Sequence, residues 1–482
     1  MRKSGWYLGV PAAFLFTLHL SRVGTLPAAL LAAAQIAFLI LLFLFFRTLK
    51  LDRILPLAVG AVSSLLFAYG ILQKVWLFPR YLEWIRGGED PFSRSIAIRI
   101  QSGRIFTIFT LPTLYAIVCS ALIIYILHFL IHRRGAARWG WGILLTAGLA
   151  NLLMTQSFGG VVYLAAGTLA YLVFSGILTL RILAPVLMTL SLLFFVIAGL
   201  RFGEARRLDP ARLRLSNWQQ AARLVARNPL FGIGLGNYAT EVSTVTHQGE
   251  ARSIYAHNAL LQEMAETGLL INLFLAVLLW RYRNRLRPRS IPPRAHHLAV
   301  LIVLVIYNLI DVGVYFFAAG FLLMLALSQV YRRDGPPRPR LLLGALPLAI
   351  ILTAAAMSRD ALQAGRILLA RQQLQAAESH YTASLRWNPW NASALLDRGM
   401  IQLRKRRLPA AYETVSRALR IQPGAPYGHF LMSRVRFAQE RFQDALYHAE
   451  QATRRRPGYT PYARWADSIE SLFTHETQTE PN

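Results

Sequence analysis

Cysteine and acidic residues are both scarce in this chain of 482 residues. The single cysteine, Cys119, lies in an apolar run, which excludes a disulfide framework and a cysteine metal site. Asp and Glu number 23 against 52 Lys and Arg, so the net charge is +29. Such a charge is typical of nucleic-acid-binding proteins, but the arginines cluster between apolar runs. The orientation of membrane spans explains such clusters better, and we expect no nucleic-acid partner.

Apolar residues make up 55% of the chain, well above the fraction in soluble domains. A helix needs about 20 apolar residues to cross a bilayer. The apolar runs predict an all-α, polytopic membrane protein of about 11 (10–12) transmembrane helices. The predicted spans are about 6–21, 27–46, 54–78, 105–131, 139–154, 158–176, 182–199, 268–281, 297–311, 314–330 and 341–357. The first run resembles a signal peptide, but the spans after it favour an uncleaved helix.

The loop charges predict the orientation of these spans, because cytoplasmic loops carry an excess of Lys and Arg. With a cytoplasmic N-terminus, the 79–104 loop, the 200–256 loop and the C-terminal tail lie on the outer side. We therefore predict a transmembrane domain over 1–357 with a large outer loop at 200–267. The inner loops hold Arg47, Lys50 and Arg53; Arg133, Arg134 and Arg138; Arg181; six arginines between Arg281 and Arg294; and Arg332, Arg333, Arg338 and Arg340.

The tail beyond about residue 360 contains an internal repeat. Three positions recur with a spacing of 34 residues: Pro389, Pro423 and Pro457; Ala377, Ala411 and Ala445; and Leu374, Leu408 and Phe442. This period is typical of tetratricopeptide repeats, in which small residues let antiparallel helices approach closely. We predict a tetratricopeptide domain over 360–475 with about three helix pairs. Its concave face would bind a peptide or protein partner; alternatively, the stack only stabilises the membrane part.

The longest segment between apolar spans runs from Arg214 to Gly268 and contains a glycine run. Gly232, Gly234 and Gly236 alternate in this run. No strand precedes it, so a dinucleotide-binding fold is disfavoured. Glycine allows positive φ and close backbone approach, which suits N–H groups that meet an anion. The alternative is a tight turn packed on the membrane surface.

His257 is the candidate base of this segment. It lies where the outer loop becomes a helix, since Leu260, Leu261 and Met264 follow at helical spacing. A histidine in such a place can accept a proton near neutral pH. The alternative is a histidine satisfied by hydrogen bonds at an interface. His247 has no helical context and is the poorer candidate.

Arginines in the two long outer loops are candidate ligands for a diphosphate. Such a group requires two or more guanidinium forks at the membrane surface. Arg214 lies in the larger loop, and Arg99 and Arg104 lie in or beside the smaller one. Carboxylates with the spacing of Mg²⁺ ligands are not apparent, so arginine would neutralise the charge. We expect no metal and no other cofactor.

These motifs together resemble the O-antigen ligase and polymerase superfamily over about residues 95–330. The resemblance depends on R-x-x-x-W at Arg214–Trp218, NPLFGIGLGNY at Asn228–Tyr238, HNALLQ…ETG at His257–Gly268, T-x-S-x-G-G at Thr155–Gly160, GRIFTIFTLPTLYA at 103–116, and Asp311. Some members of the superfamily carry tetratricopeptide tails. The resemblance implies a multi-pass protein of the bacterial inner (cytoplasmic) membrane. The outer side predicted from the loop charges is then the periplasm, and the tetratricopeptide domain is predicted to be periplasmic.

The resemblance also implies the reaction. Members transfer a glycan from undecaprenyl diphosphate to a hydroxyl acceptor at the periplasmic face. The acceptor is the lipid A core for ligases, a second lipid-linked glycan for polysaccharide polymerases, and protein Ser or Thr for protein O-oligosaccharyltransferases. We expect an O-antigen ligase-like enzyme, with the other two acceptors as alternatives. Outside this superfamily, the alternatives are a transporter and a membrane-anchored scaffold that has lost catalysis.

Matching the family motifs residue by residue assigns roles to the candidates. The family histidine corresponds to His257, which would be the base, and the arginine of R-x-x-x-W corresponds to Arg214. Phe158 stands where the family usually has a second arginine, so Arg99 or Arg104 would replace it in holding the diphosphate. In-line displacement at the anomeric carbon would invert its configuration without a metal. Glu266 could orient a partner or form local hydrogen bonds.

Overall fold

A computed structural model describes residues 26–85, 100–109, 111–205, 210–247, 250, 253–282, 292–313, 316–332 and 339–476. Within these residues the regular secondary structure is entirely helical, which confirms the all-α prediction. The first predicted span, 6–21, lies outside the described residues.

The helices of the membrane region follow the predicted apolar runs. They are α1 (Leu26–Phe46), α2 (Ile54–Leu72, extended by a π-turn and a short helix to Ile85), α3 (Pro112–His132), α4 (Ala136–Thr155), α5 (Phe158–Phe174), α6 (Leu180–Ala205), α7 (Pro210–Arg227, in the large loop), α8 (Ala259–Tyr282), α9 (Ala295–Ile310), α10 (Phe317–Val330) and α11 (Arg340–Ala370). Among the described helices, α1, α2, α3, α6, α8 and α11 are long and apolar enough to cross a membrane, and α5, α9 and α10 are shorter apolar helices. The chain is therefore a multi-pass membrane protein, and the count of eleven spans stays a prediction.

Helix α3 forms the centre of the membrane region. In the apolar stretch of α3, 78% of the residues are buried, whereas in that of α6 only 11% are buried. Helix α3 is therefore surrounded by protein, while α6 faces outward. Lipid tails are as apolar as a helix surface, so close packing rather than hydrophobicity holds such helices together. Gly167 on α5 shows this, since an added Cβ would lie 2.3 Å from Ile124 and from Val303.

Two predicted spans begin far from the expected residue, whereas the others within the described residues differ by only a few positions. The span predicted over 105–131 begins at Pro112, because Leu111 before the proline is extended. The preceding segment is instead held by Gln73, whose buried Oε1 accepts the Phe106 and Thr107 N–H groups at 2.9 and 2.8 Å. The span predicted over 268–281 begins at Ala259 and bends at Gly268, which has a φ of 75°.

The repeat region starts within the last membrane helix. Helix α11 continues to Ala370 across the predicted boundary at 357–360 and packs on α12, so no flexible linker separates the two parts. The remaining helices are α12 (Leu374–Trp387), α13 (Ala392–Arg404), α14 (Leu408–Ile421), α15 (Pro426–Ala438), α16 (Phe442–Arg455) and α17 (Thr460–Glu476). Three antiparallel pairs result, α11/α12, α13/α14 and α15/α16, and α17 caps the last pair.

Small residues recur at the contacts between paired helices. Ala377, Ala411 and Ala445 are fully buried. A Cβ added at Gly365 would lie 2.5 Å from the Tyr381 ring, so the glycine permits close approach of α11 and α12. The 34-residue spacing in the sequence therefore corresponds to the positions where paired helices pack together.

The repeat domain touches the large loop. A Cβ at Gly424, between α14 and α15, would lie 3.5 Å from Glu241 Oε1 in the loop. Burial raises the pKa of the Glu241 carboxyl, while Arg227 of the loop and Arg455 of α16 act in the opposite direction. The loop and the repeats thus lie on the same side of the membrane helices, which we call the loop side.

Candidate active site

The large loop has an apolar core of its own. Ala221 and Leu224 of α7 are buried against Tyr238, Val242 and the N-terminal part of α8. Helix α7 has apolar residues at helical spacing and polar residues on its other face, as expected of a helix that covers a surface. This packing fixes the side chains of α7 relative to α8.

A histidine, an aspartate and an arginine meet where α7, α8 and α9 converge. His257 Nδ1 lies 3.0 Å from Asp311 Oδ1. Arg214 Nη2 lies 4.0 Å from Asp311 Oδ2. The Asp311 side chain is 3% exposed, whereas those of His257 and Arg214 are 28% and 35% exposed. A buried carboxylate thus holds two partners that remain accessible from the loop side.

The backbone around His257 is fixed by several hydrogen bonds. Asn258 caps α8, because its Oδ1 accepts the Leu261 N–H at 2.9 Å. The Asn258 side chain also donates to the Leu309 carbonyl at 2.9 Å. Trp218 Nε1 donates to the His257 carbonyl at 3.0 Å. His257 has a φ of 53°, a left-handed conformation that surrounding contacts must maintain in a residue with a side chain.

The geometry selects one tautomer of His257. An ionised carboxylate only accepts hydrogen bonds, so His257 Nδ1 carries the proton and donates its N–H to Asp311. The lone pair of a neutral ring is then on Nε2, and the aspartate fixes the plane of the imidazole. This arrangement can remove a proton from a hydroxyl group that reaches Nε2. Asp311 appeared in the sequence only as part of a family resemblance, and its contact with a histidine 54 positions away has no local signal.

Arg214 is placed to meet an anion beside the imidazole. At 4.0 Å its contact with Asp311 is an ion pair too long for a hydrogen bond. The N–H groups of the guanidinium are therefore not committed to that carboxylate. A guanidinium fork matches two phosphate oxygens at once.

Two other loop arginines are used within the loop. Arg223 forms a two-pronged pair with Glu250, both N···O distances being 2.8 Å. This bond lowers the pKa of the Glu250 carboxyl. Arg227 donates to Thr244 Oγ1 at 3.1 Å. These two arginines shape the loop.

Arg104 and Arg99 are the two candidates for the second arginine that would hold the diphosphate, and the structure describes only Arg104. Arg104 Nε donates to the Thr155 carbonyl at 3.0 Å, at the loop-side end of α4. The Ile105 N–H donates to the neighbouring Met154 carbonyl at 3.1 Å, so the segment that carries Arg104 is attached to α4. Arg99 lies outside the described residues. A diphosphate role for Arg104 or Arg99 stays a prediction.

Phe158, which replaces the usual family arginine, faces an apolar environment. Its ring lies 5.5 Å from the ring of Phe194 on α6. Ser157 before it caps α5 by accepting the Gly160 N–H at 3.2 Å. The T-x-S-x-G-G motif therefore begins a helix, and its aromatic residue packs on α6.

The glycine run, which precedes α8 in the sequence, packs against the break in that helix. The Ile233 and Gly234 N–H groups donate to the carbonyls of Ala265 and Glu266, both at 2.9 Å. The Leu269 N–H on the far side of the break donates to the Pro229 carbonyl at 2.8 Å. The loop backbone thus supplies partners that the interrupted helix lacks.

The glycine N–H groups are engaged within the protein. Gly232 donates to the Asn228 carbonyl at 3.0 Å, and Gly236 donates to Glu266 Oε2 at 2.7 Å. The acceptor that Gly236 meets is thus the protein's own carboxyl group. Gln262 also donates to Glu266, at 3.2 Å, so this glutamate forms local hydrogen bonds that stabilise the loop.

Fold and site together define a multi-pass membrane protein with a polar site on one side and a helical repeat stack beside it. Residues 104–271 match a protein family described as O-antigen ligase. Residues 368–435 match the tetratricopeptide repeat family. These two matches confirm the predicted resemblance to O-antigen ligases and the predicted C-terminal tetratricopeptide repeats. No curated protein matches the chain.

The O-antigen ligase match gives the function at a coarse level. It supports ligase- or polymerase-type processing of glycans at a membrane. Arg104, Arg214, the glycine run and His257 lie within the matched residues, and Asp311 lies beyond their end.

Proposed function

We propose that this protein is an inner-membrane glycosyltransferase that moves a glycan from undecaprenyl diphosphate to a hydroxyl acceptor at the periplasmic face. The observation that carries the proposal is the 3.0 Å contact of His257 with buried Asp311, beside Arg214. The O-antigen ligase match over 104–271 supports the class of reaction. Arg214 and His257 belong to the loop that the arginine distribution predicts to be outside.

In this mechanism the acceptor oxygen attacks the anomeric carbon as the bond to the diphosphate oxygen breaks. The proton of the acceptor hydroxyl passes to His257 Nε2, and Asp311 stabilises the resulting imidazolium. General base catalysis of this kind contributes about 10²–10⁴-fold. Arg214, together with Arg104 or Arg99, stabilises the charge on the departing lipid diphosphate. Attack opposite the leaving group inverts the anomeric configuration, and the arginines provide the neutralising charge without a metal.

The acceptor distinguishes three enzymes of the same superfamily. We favour an O-antigen ligase-like reaction on lipid A core, with a polysaccharide polymerase or a protein O-oligosaccharyltransferase as alternatives. The proximity of Gly424 to Glu241 supports a position of the repeat stack beside the loop, so a protein partner bound to the repeats would be near the loop. Such a partner could be the acceptor or another envelope protein.

The second candidate, from another class, is a membrane-anchored scaffold whose repeats bind a partner. The packing of Phe158 on Phe194 favours it, because the usual second arginine is missing from that position. A scaffold would transfer no glycan. A transporter, the remaining alternative, would move its substrate without a covalent product.

The test uses the purified full chain in lipid nanodiscs with undecaprenyl-diphosphate-linked glycan. Lipid A core, lipid-linked glycan and a Ser/Thr peptide are offered separately, and mass spectrometry identifies the product. We expect one acceptor to be glycosylated and His257→Ala to lower the rate about 10²–10⁴-fold. His247→Ala is the matched control from the same loop, and its rate should remain unchanged. Full activity of the His257→Ala protein would remove the proposed base.

A further inference from the structure

Two tryptophans are exposed at the first turn of the repeat domain. Trp387 ends α12 and Trp390 lies in the turn before α13; they are 50% and 60% exposed. The segment between them is Asn388-Pro389, so four residues present two indole rings. Large aromatic side chains exposed together mark a binding surface. An indole suits a boundary between water and lipid, because its body is apolar and its N–H is polar.

The turn faces two membrane helices across an apolar groove. The groove has a volume of about 680 Å³, and its walls include Leu30 of α1, and Ile351 and Ala355 of α11, opposite the tryptophan turn. Leu30 and Ile351 are themselves 50% and 49% exposed. The groove is therefore continuous with helix surfaces that face lipid, since both helices are long and apolar enough to span a membrane.

The positions of the groove walls place the turn near the edge of the hydrocarbon layer. The predicted spans of α1 and α11 end on the loop side at about residues 27 and 357. With a rise of about 1.5 Å per residue, Leu30, Ile351 and Ala355 lie between about 3 and 9 Å inside those ends. This depth is the region between head groups and acyl chains in which tryptophan is enriched in membrane proteins.

The charge around the turn favours an anionic surface. Arg417 Nη2 donates to the Pro389 carbonyl at 2.9 Å, which holds an exposed guanidinium against the turn. Arg386, next to Trp387, is also exposed. The sequence contains no acidic residue between Glu378 and Asp397. Arginines beside a membrane surface attract the head groups of anionic phospholipids.

We propose that the turn Trp387–Trp390 is a membrane anchor that docks into the leaflet on the loop side. The two indoles lie at the level of the lipid head groups, an acyl chain of an anionic phospholipid fills the groove between α1 and α11, and Arg417 meets the phosphate. The anchor holds the first repeat against the bilayer and fixes the height of the stack beside the loop. The proposal depends on neither the glycan nor the acceptor.

The test places a fluorophore on the turn in the full chain. Trp390→Cys and, as a matched control in the same domain, Tyr447→Cys are labelled with an environment-sensitive dye; Tyr447 is 57% exposed on α16. Cys119 is buried, and wild-type protein measures any labelling there. The proteins are reconstituted in nanodiscs of phosphatidylethanolamine and phosphatidylglycerol. At position 390 we expect blue-shifted emission, quenching by nitroxide-labelled lipids and protection from aqueous iodide, whereas position 447 should show the reverse.

Two outcomes would overturn the proposal. Equal quenching by iodide at positions 390 and 447 would show that the turn is in water. Protection from iodide without quenching by lipid nitroxides would show that protein covers the turn.

A second measurement leaves both tryptophans unlabelled. Brominated lipids should quench part of the tryptophan fluorescence of the wild type, and the Trp387→Ala, Trp390→Ala double variant should lose that part. Trp465→Phe, within the repeat stack, should lose none of it. Unchanged quenching in the double variant would contradict the anchor. In the same assay Arg417→Gln should weaken quenching only when phosphatidylglycerol is present, and an equal effect in phosphatidylethanolamine alone would refute the head-group contact.

Discussion

The large loop and the repeat domain are both helical, but different contacts hold them together. In the loop and its neighbours, buried polar groups pair over long sequence separations, as in Gly236 with Glu266 and His257 with Asp311. In the repeats, small residues recur every 34 positions and pack on the adjacent helix. Polar pairing orients specific side chains, and each pair is lost when one partner is replaced. Small-residue packing gives a rigid stack but orients no particular side chain. Substitutions in the site should therefore change the reaction rate, and substitutions in the stack should change the stability of the protein.

Among the tests of the difference between polar pairing and small-residue packing, Asp311→Asn should have the largest effect, a loss of glycan-transfer rate. Asp311 Oδ1 accepts the Val312 N–H at 2.9 Å as well as facing His257 Nδ1. An asparagine that keeps its oxygen there removes the negative charge that stabilises the imidazolium. In the reversed orientation its amide N–H donates to Nδ1 and selects the tautomer that leaves no lone pair on Nε2. By analogy with the catalytic triads of serine proteases, the glycan-transfer rate should fall by about 10²–10⁴-fold, no further than in His257→Ala, while the protein still folds. The rate is measured with the nanodisc assay, and folding by thermal unfolding.

Asp52→Asn is the matched control for this prediction. Asp52 pairs with Arg332 at 3.1 Å and its side chain is 73% exposed, so its loss should leave the transfer rate unchanged. If Asp311→Asn retains the wild-type rate, Asp311 does not position the imidazole.

The same contrast explains what the sequence could predict. Apolar runs and the 34-residue register are local signals, so the membrane helices and the repeat pairs were predictable. Glu266 and Gln73 carry no such signal, because each satisfies backbone groups that become unpaired only after the chain folds. The glycine run shows the limit most directly. Its composition indicates freedom of the backbone, but only the fold shows that its N–H groups meet Glu266 and the break in α8.

A smaller effect, on loop stability, is expected from Gly232→Ala. Gly232 has a φ of 66°, and an added Cβ would lie 2.4 Å from the Glu266 carbonyl oxygen. A residue with a side chain would therefore displace the loop from α8 and cost more than about 1–2 kcal/mol, the typical penalty of the left-handed conformation alone. Limited proteolysis of the loop and thermal unfolding measure the change.

Gly140→Ala is the control of opposite sign. Gly140 lies in α4 with nothing within 4 Å of an added Cβ. Alanine is the better helix former there and should stabilise the protein by about 0.5–1 kcal/mol. Equal effects of the two substitutions would contradict a specific role of Gly232.

In the repeat domain, the corresponding test is Gly399→Ala. An added Cβ would lie 2.7 Å from Val415 Cγ2 on the paired helix, so α13 and α14 must separate. Overpacking of this kind costs about 1–3 kcal/mol. The free energy of unfolding should fall while the transfer rate per folded molecule is retained. The second substitution Val415→Ala removes the clashing methyl groups and should restore part of the loss; a double variant less stable than Gly399→Ala alone would show that the close approach is not the cause.

The smallest expected effect is a pH dependence of the loop. The Arg223 guanidinium holds the pKa of the Glu250 carboxyl below its usual value, so the pair stabilises the loop above the unfolded-state pKa of about 4.3. That contribution, of about 1 kcal/mol or less for a pair near the surface, is lost as the pH falls through the lower pKa of the folded state. The Glu250→Gln variant should therefore be less stable at pH 7 and lose less stability than the wild type on acidification. Hydrogen exchange of the loop amides between pH 7 and pH 3, corrected for the intrinsic exchange rate, measures both curves. Parallel curves would show that another carboxyl governs the acid response of the loop. Glu241 would not be that group, because burial raises the pKa of its carboxyl and acidification therefore favours the folded state at this position.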